Sequence, residues 1–461
     1  MSTLLQTIAF DADLIRKYDR PLPRYTSYPP ATELKETFDG EAFRRSITAS
    51  NQRGTPLSLY FHIPFCQSAC YFCGCNVIVS GNKRIAQPYV ECLIREIQQT
   101  SKLIDTSRPV IQLHWGGGTP NYLELDQVES LWETIRRHFN LASNAEVSIE
   151  VNPRYIDRND ILALRDLGFN RISFGIQDFN PLVQAAVNRV QSEELLFNMM
   201  DWVRDARFES VNVDLIYGLP HQTLNTFEDT IRKTIALNPD RIAVFNFAFV
   251  PWLKPVQSNI SQDTLPSPQE KLDILKMTIE ELTRHHYQYI GMDHFAKPED
   301  ELAIAQQQGT LKRNFQGYTT QPDAELFGFG LTSISMLHDT YAQHHKTLKD
   351  YYEAIAAEQL PIERGVALSQ DDIIRRSVIM ELMCQFELPK AAIEQIYQLD
   401  FDTYFQTELI DLQLLEADGL LRLWKDRIEV SPVGRLLIRN IVSVFDAHLR
   451  DKITAGFSKS I

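Results

Sequence analysis

At 461 residues, 44% of them apolar, the chain is long enough for a large core and for two or three domains. Its formal charge of −14 and the lack of any dense Lys/Arg block argue against a nucleic-acid backbone as main partner, while a local basic cleft stays compatible with an anionic small molecule. No run reaches the roughly 18 apolar residues of a membrane span, and MSTLLQTIAFDADLIRKYDR carries acidic residues where a secretory leader is apolar, so a soluble cytoplasmic protein without membrane attachment is expected.

The first 55 residues centre on the Pro- and Tyr-rich PLPRYTSYPP and predict an ordered, extended arm (1–55). From residue 57 short β-rich runs alternate with helical patterns. The runs lie at 57–64, 110–118, 145–151, 170–177, 209–218 and 240–247, each rich in Val, Ile or Phe and bounded by Gly, Pro or Asn. Helical spacing follows at 89–104, 128–139, 161–168 and 227–237. Successive βα units of this kind pair their strands in parallel and curl toward a barrel, giving an α/β domain over 56–296 with an element at 289–296 on its rim. Beyond about residue 365 the pattern turns helical (371–386, 411–423), passes a strand-like RIEVSP at 427–432 and ends in a long apolar stretch at 433–452 that predicts a helix. Helices followed by a small β ribbon resemble a winged-helix unit within a mostly helical C-terminal domain (297–461). The acidic charge disfavours DNA binding by it.

Cys66, Cys70, Cys73 and Cys75 fall within ten residues, and only Cys92 and Cys384 lie elsewhere. Disulfides at such separations would be strained, whereas thiolates this close suit a soft metal or an iron–sulfur centre. The spacing C-x3-C-x2-C supplies three ligands where a four-iron cluster takes four, which leaves one iron open. A structural zinc site would want a second separated ligand pair, and none follows. Cys75 reads either as a fourth ligand or, more in keeping with the spacing, as a neighbouring thiol.

In parallel βα folds functional groups collect after the carboxyl ends of strands. The cysteine loop, GGGTP (116–120), Glu150, Gln177, Asp214, Tyr217 and Ala248 all occupy such places. Each has a plain reading beside a functional one. GGGTP is a strand-to-helix turn or a backbone cradle for a polar ligand. Glu150 and Asp214 fix loop amides or accept from ribose hydroxyls or an ammonium. Arg189 is a solvated helix charge or a carboxylate clamp, and His62 is a hydrogen-bonded strand end or a site group.

Taken together, HIPFCQSACYFCGCN, WGGGTPNYL, SIEVNPR, GFNRISFGIQDFN, VNVDLIYGLPHQT, GMDHFAKPEDELA and NFQGYTTQ resemble the radical S-adenosylmethionine enzymes. Within them they resemble the oxygen-independent coproporphyrinogen III oxidases (coproporphyrinogen dehydrogenases) of heme and chlorophyll synthesis, over essentially the whole chain. The resemblance implies a partial (β/α)6 barrel with an N-terminal arm and a helical C-terminal domain. It implies a [4Fe–4S] cluster on Cys66, Cys70 and Cys73, with S-adenosylmethionine on the open iron. Cofactor contacts are implied at Tyr60, Phe72, Gly117, Glu150 and Ile334, with Tyr60 and Glu150 the catalytic pair. A second S-adenosylmethionine is implied near Gly118, Thr119, Gln177, Arg189, Asp214 and Ala248. The implied substrate is coproporphyrinogen III, whose propionates lose carbon dioxide to become vinyl groups after hydrogen abstraction by a 5′-deoxyadenosyl radical. An electron donor and an acceptor of unassigned identity and a monomeric state go with it. Pro30 stands where many relatives carry Thr, and Asn152 where many carry Asp; neither is an implied ligand. The competing readings are a related heme chaperone, a radical heme methyltransferase and a zinc scaffold. Arg24 in the arm is expected to pair with substrate propionates.

Overall fold

The computed structural model describes residues 8–321 and 323–449, which form two compact units. One comprises Leu34–Glu281 and Asp323–Ala367. Its first strand, β1 (Leu57–Ile63), is followed by β2 (Pro109–Gly117), β3 (Asn140–Val151), β4 (Arg171–Gln177), β5 (Ser210–Tyr217) and β6 (Arg241–Asn246), and these six lie side by side in chain order, all parallel. Between them run helices α1 (Ala86–Thr100), α2 (Leu125–His138), α3 (Arg158–Leu167), α4 (Glu193–Asp205) and α5 (Leu224–Leu237). Their starts carry the expected capping chemistry: Asp157, Ser192 and Thr223 each accept from backbone N–H groups in the first turn.

Strand periodicity sorts the side chains. Leu59, Phe61, Leu113, Trp115, Val147, Ile149, Ile172, Phe174, Val211 and Val213 are at most 3% exposed. The edge of Trp115 meets Phe169, which in turn packs on Trp132 of α2 with ring centroids 5.0 Å apart. Each such side chain contributes about 1.5–3 kcal/mol by leaving water. The alternate positions carry Tyr60, His62, His114, Ser148, Glu150, Ser173, Asn212 and Asp214, which hydrogen-bond to one another across strands (His114 to Ser148 and Glu150, Asn212 to Ser173) and along them (Tyr60 to His62, Asn212 to Asp214). The inner face is therefore polar, and its polar groups are paired chiefly with each other.

Four further strands extend the sheet on the other side of β1. β7 (Glu325–Phe329) pairs parallel with the free side of β1, in register from Leu57↔Glu325 to Phe61↔Phe329, and β8 (Ile334–Leu337), β9 (Thr340–His344) and β10 (Ile362–Ala367) continue antiparallel. Glu325 anchors the addition. Its carboxylate accepts from Arg53 at 2.7 Å and Arg108 at 3.0 Å, with the side chains of Glu325 and Arg108 only 7% and 3% exposed.

The other unit contains the described parts of Met1–Glu33, Leu282–Pro322 and Leu368–Ile461. PLPRYTSYPP is not helical, but neither is it extended throughout: it bends at 26–29 with Tyr25 at a φ of 46°, and helices at Ala12–Tyr18 and Gly40–Arg53 flank it within the first 55 residues, the second lying in the barrel unit; residues 1–7 lie outside the described residues. A helix at Gln370–Gln385 leads into a three-stranded antiparallel sheet, Glu387–Pro389, Arg427–Val430 and Leu421–Leu423, with Lys390–Tyr397, Phe401–Tyr404 and Gln406–Ala417 helical between its first and later strands. This is the element order of a winged helix. The stretch 433–452 departs from expectation: it holds a short helix, Ile438–Val442, and a 3-10 turn, Ser443–Phe445, while 450–452 lie outside the described residues. Its polar side chains explain the departure. Arg439 binds the carbonyls of Leu22 and Pro23, Asn440 binds that of Tyr18 and Asp446 accepts from Tyr25, so the chain follows the arm instead of continuing as a helix. Among the described residues no helix is long and apolar enough to cross a membrane.

Candidate functional site

The loop after β1 is closed by its own backbone. Ile78 donates to the Pro64 carbonyl at 2.7 Å and Ser80 to that of Cys66 at 2.9 Å, and Cys73 turns back onto the Cys70 carbonyl at 3.1 Å. Residues just past the helix Pro181–Ala186, in the connection after β4, then pin it. Tyr71 N–H reaches the Val187 carbonyl at 3.0 Å, and Asn188 donates to the Ala69 carbonyl at 2.7 Å. Tyr71 and Phe72 pack on a cluster of Val183, Val187, Leu219, Phe247 and Ile260. Cys66, Cys70, Cys73 and Cys75 thereby line one cavity of about 390 Å³, within the roughly 300–1,000 Å³ usual for small-molecule sites. Among the described residues no three His, Cys, Asp or Glu side chains are placed to hold a single metal ion.

The thiols sit in distinct surroundings. Burial pushes Cys66 up to about 11 against the 3.3 Å hydroxyl contact of Thr119, which opposes it. A hydrogen bond from Cys75 holds the Cys73 thiol below its ordinary value, and the same bond with burial holds Cys75 well above. Cys70 receives two guanidinium groups, Arg189 Nη1 at 3.6 Å and Arg154 Nη2 at 3.7 Å. Arg189 is 7% exposed; its Nη2 donates to the Gly175 carbonyl at 2.7 Å and its Nε has no hydrogen-bond partner.

Two carboxylates face the cavity and are held in opposite states. Burial alone would raise Glu150, but bonds from His114 (3.3 Å) and the Gly117 N–H (3.2 Å), with His62 nearby, outweigh it and keep the carboxylate below its ordinary value. Asp214 is pushed up to about 7, by burial first and by the charge of Glu150 second. The site thus holds one firm anion and one carboxyl that titrates near neutrality. Tyr60 is kept a phenol well above its usual range by burial; it stacks on His114 with centroids 5.8 Å apart and meets His62 Nδ1 at 3.0 Å. Burial pushes His62 down to about 4, so that it is neutral.

The glycines of GGGTP are required by space. Gly117 has φ of 114°, and a Cβ there would fall 2.5 Å from the His62 ring; one on Gly118 would fall 2.8 Å from the backbone of Pro64 and Phe65.

Of the residues singled out from sequence, Cys66, Cys70, Phe72, Cys73, Gly117, Gly118, Thr119, Glu150, Gln177, Arg189 and Asp214 line this one cavity. Tyr60, Ala248 and Ile334 are not among its lining residues: Tyr60 lies on the inner face beneath His114, Ala248 is exposed after β6, and Ile334 opens β8. Sequence reasoning missed Ser173 and Lys254, which line the cavity, and also His114 and Arg154. For His114 and Ser173 a signal existed, polar residues at every second position of otherwise apolar strands. Lys254, whose Nζ reaches the Cys75 carbonyl at 3.3 Å, and Arg154 carried none.

Comparison with known proteins identifies the family. Residues 60–234 match the radical SAM superfamily and residues 368–437 the HemN C-terminal domain family. The chain is 60% identical over 456 residues to the oxygen-independent coproporphyrinogen III oxidase of Synechocystis sp., covering 98% of both chains. It is 49% identical to the enzyme of the same name from Escherichia coli, over 97% of each. The solved structure of coproporphyrinogen III oxidase from Escherichia coli, described as a radical SAM enzyme, superposes with a TM-score of 0.93 at 48% identity, covering 96% of this chain and 100% of that one. The chain therefore belongs to the oxygen-independent coproporphyrinogen III oxidase family of radical SAM enzymes.

Proposed function

We propose that this enzyme converts coproporphyrinogen III to protoporphyrinogen IX by oxidative decarboxylation of two propionate side chains to vinyl groups, with a [4Fe–4S] cluster on Cys66, Cys70 and Cys73. The observation that carries the reading is the meeting, in one cavity, of three thiols from one loop with Glu150 and Asp214 from two strands and Arg189 from the connection after β4. The donor set fits. Three thiols from one loop in one cavity suit a cluster whose irons each take one cysteine sulfur, and guanidinium groups beside Cys70 offset the negative charge of bound thiolates.

When bound, cluster and S-adenosylmethionine supply a 5′-deoxyadenosyl radical for hydrogen abstraction at the propionate β-carbon. The chain's own residues bind and orient. The Glu150 carboxylate accepts from an ammonium or ribose hydroxyl, aligned by His114, with Tyr60 holding His114 from beneath. Gly117 and Phe72 line the same cavity, while Ile334 lies outside its lining at the start of β8. A second cofactor molecule is assigned to Gly118, Thr119, Gln177, Arg189, Asp214 and Ala248, where Arg189 supplies a carboxylate clamp. Cys75 stays a neighbouring thiol. We infer a cytoplasmic monomer served by a separate electron donor and acceptor.

The test is reconstitution without oxygen: iron, sulfide, cofactor, reductant and coproporphyrinogen III, then analysis of oxidised porphyrins. Protoporphyrin is expected. 5′-Deoxyadenosine without new porphyrin refutes the assigned reaction.

A further inference from the structure

The unit built from the arm and the C-terminal segments holds three arginines in one connected group. Arg439, 4% exposed, donates from Nε to the Pro23 carbonyl at 2.9 Å and from Nη2 to that of Leu22, fixing the backbone just ahead of Arg24. Arg24 pairs with Asp293. The next residue, His294, meets the ring of Tyr318 edge to face, with centroids 5.4 Å apart, and the guanidinium of Arg313 lies over that same ring at 4.7 Å. Arg313 is 5% exposed, and its Nε and Nη1 have no hydrogen-bond partner.

Guanidinium stays charged in proteins, and an aromatic face meets its charge only in part while leaving in-plane N–H donors unused. A planar fork with unused donors is shaped for a carboxylate. Around Arg439 the nearby charges include Arg24, Arg313 and Asp293, so cations outnumber the anion among them. This positive group lies in a protein of formal charge −14, and it uses Arg24 together with two arginines far from it in sequence.

We propose that Arg24, Arg313 and Arg439 form a carboxylate-binding site and, resting on the assigned reaction, that it takes the propionates of the tetrapyrrole substrate. The arginines anchor and orient the substrate; they do not touch the sulfur ligands or take part in hydrogen transfer.

The probe is coproporphyrin III, the stable aromatic form that keeps all four propionates, titrated by fluorescence quenching into the anaerobic reconstituted enzyme. Arg313→Gln and Arg439→Gln are each expected to weaken binding about 10- to 100-fold, the loss of a charge-assisted pair, and to raise KM for coproporphyrinogen III more than they lower kcat. The tetramethyl ester of the same porphyrin, offered to the unaltered enzyme, is expected to lose at least as much affinity. Since Arg439 also holds the arm, the ester comparison and Arg313→Gln decide the matter if Arg439→Gln fails to fold. An ester that binds as tightly as the acid, or an Arg313→Gln enzyme with unchanged affinity and KM, overturns the site. Arginine-dependent porphyrin binding by an unaltered enzyme that forms no protoporphyrinogen would overturn the assigned reaction and leave the carboxylate site standing.

Discussion

Gly118→Ala tests whether the site depends on the closeness of two backbone segments. An added Cβ would lie 2.8 Å from the Phe65 oxygen and the Pro64 carbonyl carbon and 2.9 Å from the Pro64 oxygen. Carbon contacts become favourable only at about 3.5 Å, so the methyl overlaps by roughly 0.7 Å. The obstacle is main chain, which cannot swing aside as a side chain would. It is the main chain that leads into Cys66, and Gly118 is tied to it by a 2.8 Å bond to the Ile63 carbonyl. Relief must therefore shift Cys66, or shift Thr119, whose hydroxyl lies 3.3 Å from the Cys66 sulfur. Overpacking of this kind costs about 1–3 kcal/mol of stability, and a displacement near 1 Å of a reacting group costs about 100-fold in rate. The expected outcome is a folded protein with a lowered melting temperature, reduced iron content and S-adenosylmethionine cleavage down about 100-fold. Gly54→Ala is the control: its φ is 67° and nothing lies within 4 Å of an added Cβ, so it should lose about 1–2 kcal/mol through backbone strain alone and keep its iron. A Gly118→Ala enzyme with full iron and an undiminished cleavage rate refutes the reasoning.

Serine at Cys66, Cys70 or Cys73 should abolish iron–sulfur absorption, whereas Cys75→Ser should keep most of the iron; equal loss in all four would make Cys75 a ligand. Glu325→Gln leaves Arg108 buried against a neutral partner and should cost about 3–5 kcal/mol by urea unfolding; because neighbouring donors outweigh burial and hold Glu325 below its ordinary value, the wild-type contribution should disappear as acid titrates the folded carboxylate. Glu96 behaves oppositely. Burial pushes it up to about 8 from 4.5 despite bonds from Tyr351 and Gly330, so the folded state binds the extra proton and stability falls as pH rises from about 4.5 through 8. Glu96→Gln should flatten that slope in pH-dependent melting, and an unchanged slope would place the titration elsewhere. Arg24→Ala should raise KM for coproporphyrinogen III about tenfold with iron content retained, and loss of the cluster in that variant would contradict a substrate role.

What the sequence revealed follows from how local each signal is. The six barrel strands were legible because their apolar alternation and flanking turn residues are written in consecutive positions, as in NRISFGIQ for Arg171–Gln177. The cysteine loop was legible for the same reason. β7 was not, since five residues, ELFGF, say nothing of a parallel partner far earlier in the chain, and its register rests on Glu325 meeting Arg53 and Arg108 from two other segments. The stretch 433–452 misled because its apolar residues suit a helix while Arg439 and Asn440 answer to carbonyls of the arm. Arg154 illustrates the limit at the site. It follows an Asn-Pro turn like many surface arginines, and only the folded chain brings it to Cys70.

A well-matched sequence leaves few buried polar atoms unpaired, so where they gather is informative. In the barrel unit they include Gln177 Oε1, Arg189 Nε, Gln191 Oε1 and Asn246 Oδ1. Gln177 and Arg189 line the cavity, and Gln177 ends β4 at a φ of 70°, a conformation a glutamine adopts only when its surroundings impose it. Trp115 and Trp132 also bury an unpaired indole N–H, but they lie among the packed rings on the helix side, where shape rather than ligand chemistry accounts for them. On the cavity side no such packing explanation exists. Strain and unmet hydrogen-bonding capacity there coincide with the charges of Glu150 and Arg189, and a polar nucleoside ligand would meet that capacity where an apolar one would leave it unmet.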